Sequence, residues 1–227
     1  MRRIFNKASL IALLATLALS ACSSNSSDLD YVELVKGVFR PHQKVKPSDP
    51  EVVARSLTHA LANSEGPLAL LHLKKTETTT VLRQIESNGA YRTWAAYGSS
   101  DRRSLTTKGG LITATRGLGF DLMSSDVSGV LPLITGRRNG TAKRIQRYLN
   151  GENIIYEIVA DCSVSRGPAR AFKIGSTSQN ATEMVVNCKA PEHEFTNTYL
   201  VSGKGQIVQA QQWLSPFYGH AFIQRLR

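Results

Sequence analysis

The sequence predicts a mainly β protein, an antiparallel meander curled into a half-barrel with one N-terminal helix packed against it. Three observations carry this reading. Short alternating or β-branched runs follow one another from Leu68 to the C-terminus. Hairpin-type turn signals separate several of them, at Asn88-Gly89, Lys108-Gly109-Gly110 and Asn150-Gly151. No helical segments alternate with these strands, which argues against the crossovers that a parallel sheet needs.

The chain opens with Arg2, Arg3 and Lys7, an apolar run from Ala8 to Leu19, and Leu19-Ser20-Ala21-Cys22. This is the layout of a secretory signal peptide, and its apolar run is short for a transmembrane helix. The last four residues look like a lipobox: an aliphatic residue, two small residues that fit a protease cleft, and a cysteine whose thiol takes the lipid. Residues 1–21 are therefore expected to be a signal peptide. Residues 22–36 are expected to be a lipidated N-terminus and Ser-rich tether, and residues 37–227 a single antiparallel β domain. Ser23 follows the cysteine, and in lipoproteins that this resembles, a residue other than Asp there points to the outer membrane.

Lys36 to Pro50 is basic and reads as extended. Ser48-Asp49-Pro50-Glu51 is a helix start, after which Val52, Val53, Leu57, Ala60 and Leu61 recur at helical spacing until Gly66-Pro67. Strands are predicted at Leu68 to Leu73, Thr78 to Glu86, Tyr91 to Trp94, Ser104 to Thr107 and Leu111 to Thr115. Further strands follow at Lys143 to Leu149, Asn153 to Val164, Ala181 to Cys188, Glu194 to Ser202 and Gln206 to Trp213. Phe217 to Leu226 reads as a last strand or a short helix. Gly117 to Gly140 is the least regular stretch and is expected to hold long loops. A long antiparallel sheet must curl or cover its edges, and wrapping around the helix would do so.

Lys and Arg outnumber Asp and Glu by 28 to 17, a net charge of +11. Such an excess favours anionic partners, acidic polysaccharide or lipid phosphate, and export makes nucleic acid an unsuitable one. With Cys22 lipidated, Cys162 and Cys188 remain of the three cysteines. An even pair in an oxidising compartment reads as a disulfide.

Enzyme and metal templates fail. His193-Glu194 begins an H-E-x-x-H, but Asn197 stands where the second zinc ligand belongs. S-x-x-K, G-x-S-x-G and the P-loop are absent. No catalytic residue, metal or cofactor is expected. Two features lean towards binding. Arg137, Arg138, Lys143, Arg144 and Arg147 form an acid-free basic run whose guanidinium forks match carboxylates and phosphates. Trp94 and Trp213 offer flat faces suited to sugar rings, with core packing as their commoner use.

Leu111-Ile112-Thr113-Ala114-Thr115-Arg116-Gly117-Leu118-Gly119-Phe120-Asp121-Leu122 is the most distinctive stretch. With Trp94 before it and Gln211-Gln212-Trp213 near the end, it resembles the group 4 capsule polysaccharide lipoproteins, the GfcB/YjbF family. That resemblance implies an antiparallel half-barrel and a setting of exopolysaccharide or capsule production, and carries over no catalytic residues. Within the motif, Gly117 and Gly119 are suited to positive φ, and Arg116 to an ion pair with Asp121 or to a ligand. The expected function is that of an outer-membrane lipoprotein facing the periplasm. It would assist polymer assembly or export by binding acidic polysaccharide or export proteins. The rival readings are a lipid or lipoprotein carrier with an apolar groove, a polysaccharide-modifying enzyme, and a scaffold that recruits proteins through a sheet edge.

Overall fold

The computed structural model describes residues 46–100, 103–149, 154–174 and 177–227, without the side chains of 173, 174 and 177. Cys22, the segment before it, the tether and the Asn150-Gly151 turn lie outside the described residues. The described chain begins with helix α1 (Pro50–Asn63) and continues through β1 (Leu68–Leu73), β2 (Thr78–Asn88), β3 (Tyr91–Ala96), β4 (Ser104–Lys108) and β5 (Leu111–Arg116). β6 (Leu122–Asp126) and the short helix α2 (Val130–Thr135) follow. β7 (Gly140–Leu149), β8 (Ile155–Ile174), β9 (Thr177–Ala190), β10 (His193–Ser202), β11 (Ile207–Ser215) and β12 (Gly219–Arg225) complete it.

All twelve strands form one antiparallel sheet in the order β5-β4-β3-β2-β1-β12-β11-β10-β9-β8-β7-β6. The chain spirals out from β1 to β5, restarts at the far edge with β6, and works back until β12 pairs with β1, Ala69 opposite Arg225. β5 and β6 are thus consecutive in sequence and yet the two edges of the sheet. The turn between them draws the edges together and makes the sheet a nearly closed barrel, beyond which the far half of β8, from Ser165 on, pairs with β9 alone.

Gly117 to Gly140 is more regular than its composition predicts, for it holds β6 and α2. Both are too short to show a period, and α2 has a proline within its six residues. Val130 and Ile134 of α2 are buried in the main core. Leu131 lies against Gly109 and the Thr135 carbonyl against Gly205, so α2 caps the end of the barrel that carries the β4–β5 and β10–β11 turns.

α1 starts as the sequence predicts, with the Asp49 carboxylate accepting from the Glu51 amide at 2.9 Å and Pro50 in the first turn. The sheet does not wrap around it. Ala60 packs with Leu68 and Val81, joined by Leu57, Leu70 and Leu226, in a cluster separate from the main core. β1 shows why: Leu68 and Leu70 point one way to the helix, and Leu71 and Leu73 point the other way to the main core. Val52 and Leu61 of the expected stripe remain exposed.

One buried side chain pinches the barrel. Gln212 of β11 has no exposed surface. Its Oε1 accepts from the Ile112 amide of β5 at 3.0 Å, and its Nε2 donates to the Gly110 carbonyl at 2.9 Å. The amide thereby acts as a detached peptide group, giving edge strand β5 the partner that no strand supplies. Gly110 must be small here, since a Cβ would stand 2.8 Å from Ile207. The Gln212 bridge ties β11 to β5; the main core fills the interior towards β6 to β10, and a trough is left between β1 to β4 and the facing parts of β11 and β12.

Candidate functional site

The inner face of β1 to β4 carries Ala69, Leu82 and Leu105, with Leu71, Trp94 and Ile223 packed against them. These residues are too few and too small to reach the opposing strands, and two cavities remain. The larger, about 400 Å³, is lined by Leu82, Trp94 and Leu105, by Ala69 and Ile223, and by Gln84, Arg92 and Arg225. Ala90, Gly109 and Gln206, all exposed, form its rim at the α2 end. The smaller, about 220 Å³, is lined by the same Leu82, Trp94 and Leu105, by Leu71, Leu73, Ala96 and Leu118, and by Thr78 to Thr80, Arg103 and Ser104. Leu82, Trp94 and Leu105 line both, so the two cavities adjoin along the inner face of the barrel and together make a trough. A mainly apolar lining with a few placed polar groups is what small-ligand sites have.

Trp94 is held by its own hydrogen bond, Nε1 donating to Thr107 Oγ1 at 3.0 Å across the β3–β4 pair. Its ring is half-buried. Arg92, two residues earlier on the same face, donates to the Gly89 and Tyr91 carbonyls at 2.6 and 2.8 Å, which fixes the guanidinium beside the rim. Arg225 arrives from the neighbouring side of the trough on β12. Sequence reasoning singled out Trp94 and missed Arg92 and Arg225. They stand 133 positions apart, and only the β1–β12 pairing makes them neighbours of one cavity.

The basic run does not form one face. Arg144 points into the barrel and is 1% exposed, with Nε 3.4 Å from Ser125 Oγ. Lys143 and Arg147 point outwards and are paired, with Asp161 at 2.8 Å and Glu157 at 2.7 Å. Arg137 donates to the Ser202 carbonyl, and Arg138 is exposed. Strand alternation sends 143 and 147 to one side and 144 to the other. Trp213 is also a core residue, stacked on Phe195 with centroids 4.4 Å apart. It lines neither cavity.

The Arg116–Asp121 element is the seam of the barrel. Asp121 accepts from the Thr115 hydroxyl at 2.9 Å, from the Gly117 amide at 2.8 Å and from the Leu118 amide at 3.1 Å. Thr115 Oγ1 in turn accepts from the Leu122 amide at 2.9 Å. Arg116 donates to the carbonyls of Thr115, Leu122 and Met123. Instead of the expected ion pair, the acid binds the turn's amides and the base binds the carbonyls across the edge. Gly117 at φ +77° and Gly119 at φ +89° supply the positive φ that the turn needs. The Leu118 carbonyl takes the Tyr218 hydroxyl, and Phe120 stacks on Phe217, so the turn is fastened to the β11–β12 end as well. Asp121→Ala is expected to cost about 2 kcal/mol in urea unfolding, the net worth of these three partly exposed bonds. Asp121→Asn should keep the acceptor and recover part of it.

Cys162 and Cys188 form the expected disulfide, between directly opposed residues of β8 and β9. The interior also holds a polar set on β7 and β10. Gln146 donates to Tyr148 Oη at 2.8 Å, and Tyr148 donates across the barrel to the Leu214 carbonyl at 2.7 Å. Burial pushes the Tyr148 and Tyr199 hydroxyls up, with the Arg144 guanidinium opposing part of the rise in each. Tyr218 is raised by burial and then by the Asp121 charge. A phenol raised in the fold contributes stability that is complete below its unfolded value, near 10, and is lost as pH climbs above it. Absorbance titration should show Tyr148 and Tyr199 ionising only with cooperative alkaline unfolding.

Fold and cavity define a nearly closed antiparallel barrel with an internal trough. The model of the family described as "Group 4 capsule polysaccharide lipoprotein gfcB, YjbF" matches residues 39–226, and the chain belongs to that family. Among solved structures, it is similar to the hypothetical lipoprotein YmcC from Escherichia coli, at 17% identity and a TM-score of 0.62 over 79% of this chain and 97% of that one. A putative exported protein with a YmcC-like fold from Bacteroides fragilis aligns over 73% of this chain and 96% of its own, at 11% identity and a TM-score of 0.29. No curated protein matches. Among the described residues no helix is long and apolar enough to cross a membrane, and no group of metal-ligating side chains occurs.

Proposed function

We propose that this chain is an exported lipoprotein, anchored through Cys22 at the outer membrane and facing the periplasm. Its role is to assist capsule or exopolysaccharide assembly by holding a short acidic saccharide segment in the α2 end of the trough. The observation that carries this is Trp94, half-buried and fixed by Thr107, lining a cavity of about 400 Å³ together with Arg92 and Arg225. A flat indole face accepts the apolar side of a sugar ring, and guanidinium forks accept carboxylates. Family membership supports the polymer setting, and the net positive charge supports an anionic partner.

The test is calorimetric titration of the full-length chain with uronic-acid oligosaccharides across a salt series. Saturable binding that weakens with salt is expected, with Trp94→Ala weakening it about tenfold, the loss of one stacking contact. Arg225→Ala should weaken it and flatten the salt dependence. Absence of binding at low salt, or binding indifferent to Trp94→Ala, overturns the reading.

A further inference from the structure

Resting on that reading, we propose that the trough's occupant is an amphiphile, an acidic saccharide carrying one aliphatic chain, with the chain in the smaller cavity. Leu82, Trp94 and Leu105 line both cavities, which therefore adjoin, and a ligand laid along the Trp94 face would reach from one into the other. From Ala69 in the first to Leu73 in the second is four residues of strand, ~13 Å. The chemistry of the lining changes along that path. Arg92, Arg225 and Gln84 belong to the first cavity. Leu71, Leu73, Ala96 and Leu118 belong to the second, whose polar groups are three threonines, Ser104 and Arg103. A free saccharide would leave those leucines against water, whereas an alkyl tail covers them while its head reaches the guanidinium groups. The seam contributes too: Leu118, held by Asp121 at its amide and by Tyr218 at its carbonyl, puts its side chain into this wall.

The experiment compares a uronic-acid disaccharide with its octyl glycoside on the full-length chain, alongside alkyl phosphates from butyl to octyl. Each methylene that enters an apolar wall is worth about fourfold in affinity, so the octyl glycoside should bind at least 30-fold tighter than the free disaccharide. Affinity of the alkyl phosphates should rise with chain length. Ala96→Phe, which fills the smaller cavity, should erase the chain-length dependence and leave the free disaccharide's affinity within about twofold. Equal affinity for the two disaccharide forms overturns the chain site while leaving the proposed function standing. Chain-length dependence without any disaccharide binding overturns the proposed function and, with it, the acidic saccharide head, leaving only a chain pocket. A tail preference unchanged by Ala96→Phe, in a variant with wild-type circular dichroism, overturns the placement.

Discussion

Gln212→Leu should lower the stability of the folded chain by about 4 kcal/mol, the largest effect expected of any single polar substitution here. The change keeps the side chain close in size and adds no charge, so chemistry rather than packing dominates. It leaves the buried Ile112 amide and the part-buried Gly110 carbonyl without the partners they now have at 3.0 and 2.9 Å. Each buried backbone group left unpaired costs about 1–3 kcal/mol, and two are orphaned at once. Urea unfolding checks the size of the loss. Hydrogen exchange checks its place, because Ile112 on β5 should lose protection while β8 and β9 keep theirs. Gln212→Glu keeps an acceptor for Ile112 but buries a carboxylate against the Gly110 carbonyl, so it should also destabilise strongly at neutral pH. A loss below about 1 kcal/mol for Gln212→Leu would show that β5 does not depend on the pinch.

Replacing both Cys162 and Cys188 by serine should cost about 3 kcal/mol, the loop-closure value for a separation of 26 residues. The two cysteines are 2% and 1% exposed within the main core, so serine adds the cost of burying hydroxyls. Cys→Ala at both positions isolates the crosslink from that term. Reduction of the wild-type chain should give a comparable fall in the urea midpoint. Because the bond joins β8 to β9, far from β1 to β4 in the sheet, ligand binding at 25 °C should survive reduction if the chain stays folded. Loss of binding with native circular dichroism would couple the disulfide to the trough.

Most of the strand segments were legible in the sequence because their signals are local. Asn88-Gly89 and Lys108-Gly109-Gly110 turn where their conformational preferences require, and the alternating segments between them have one face to bury. Leu68–Leu73 and His193–Ser202 needed nothing more than residue pattern and turn chemistry. β6 and α2 were hidden because five or six residues hold too little periodicity to rise above a Gly-rich background. The basic run is divided by the structure for a different reason. Charge density along the chain says nothing of direction, and alternation along β7 turned Arg144 inwards while Lys143 and Arg147 met acids on β8.

The sequence by itself determined the antiparallel meander, the cysteine pair and the family motif, and it offered Trp94 either to a sugar ring or to the core. Each depends on neighbours in the chain, on redox chemistry or on a contiguous pattern. Only the tertiary structure decided that the motif is a seam between two sheet edges, that α1 lies outside the core, and that Gln212 ties β11 to β5. It alone placed Trp94 with Arg92 and Arg225 in one cavity. The physical reason is closure: β1 pairs with β12 and β5 meets β6 only when the sheet has curled fully. The trough is what remains where small side chains on the inner faces of β1 to β4 fail to fill the space that the curl encloses.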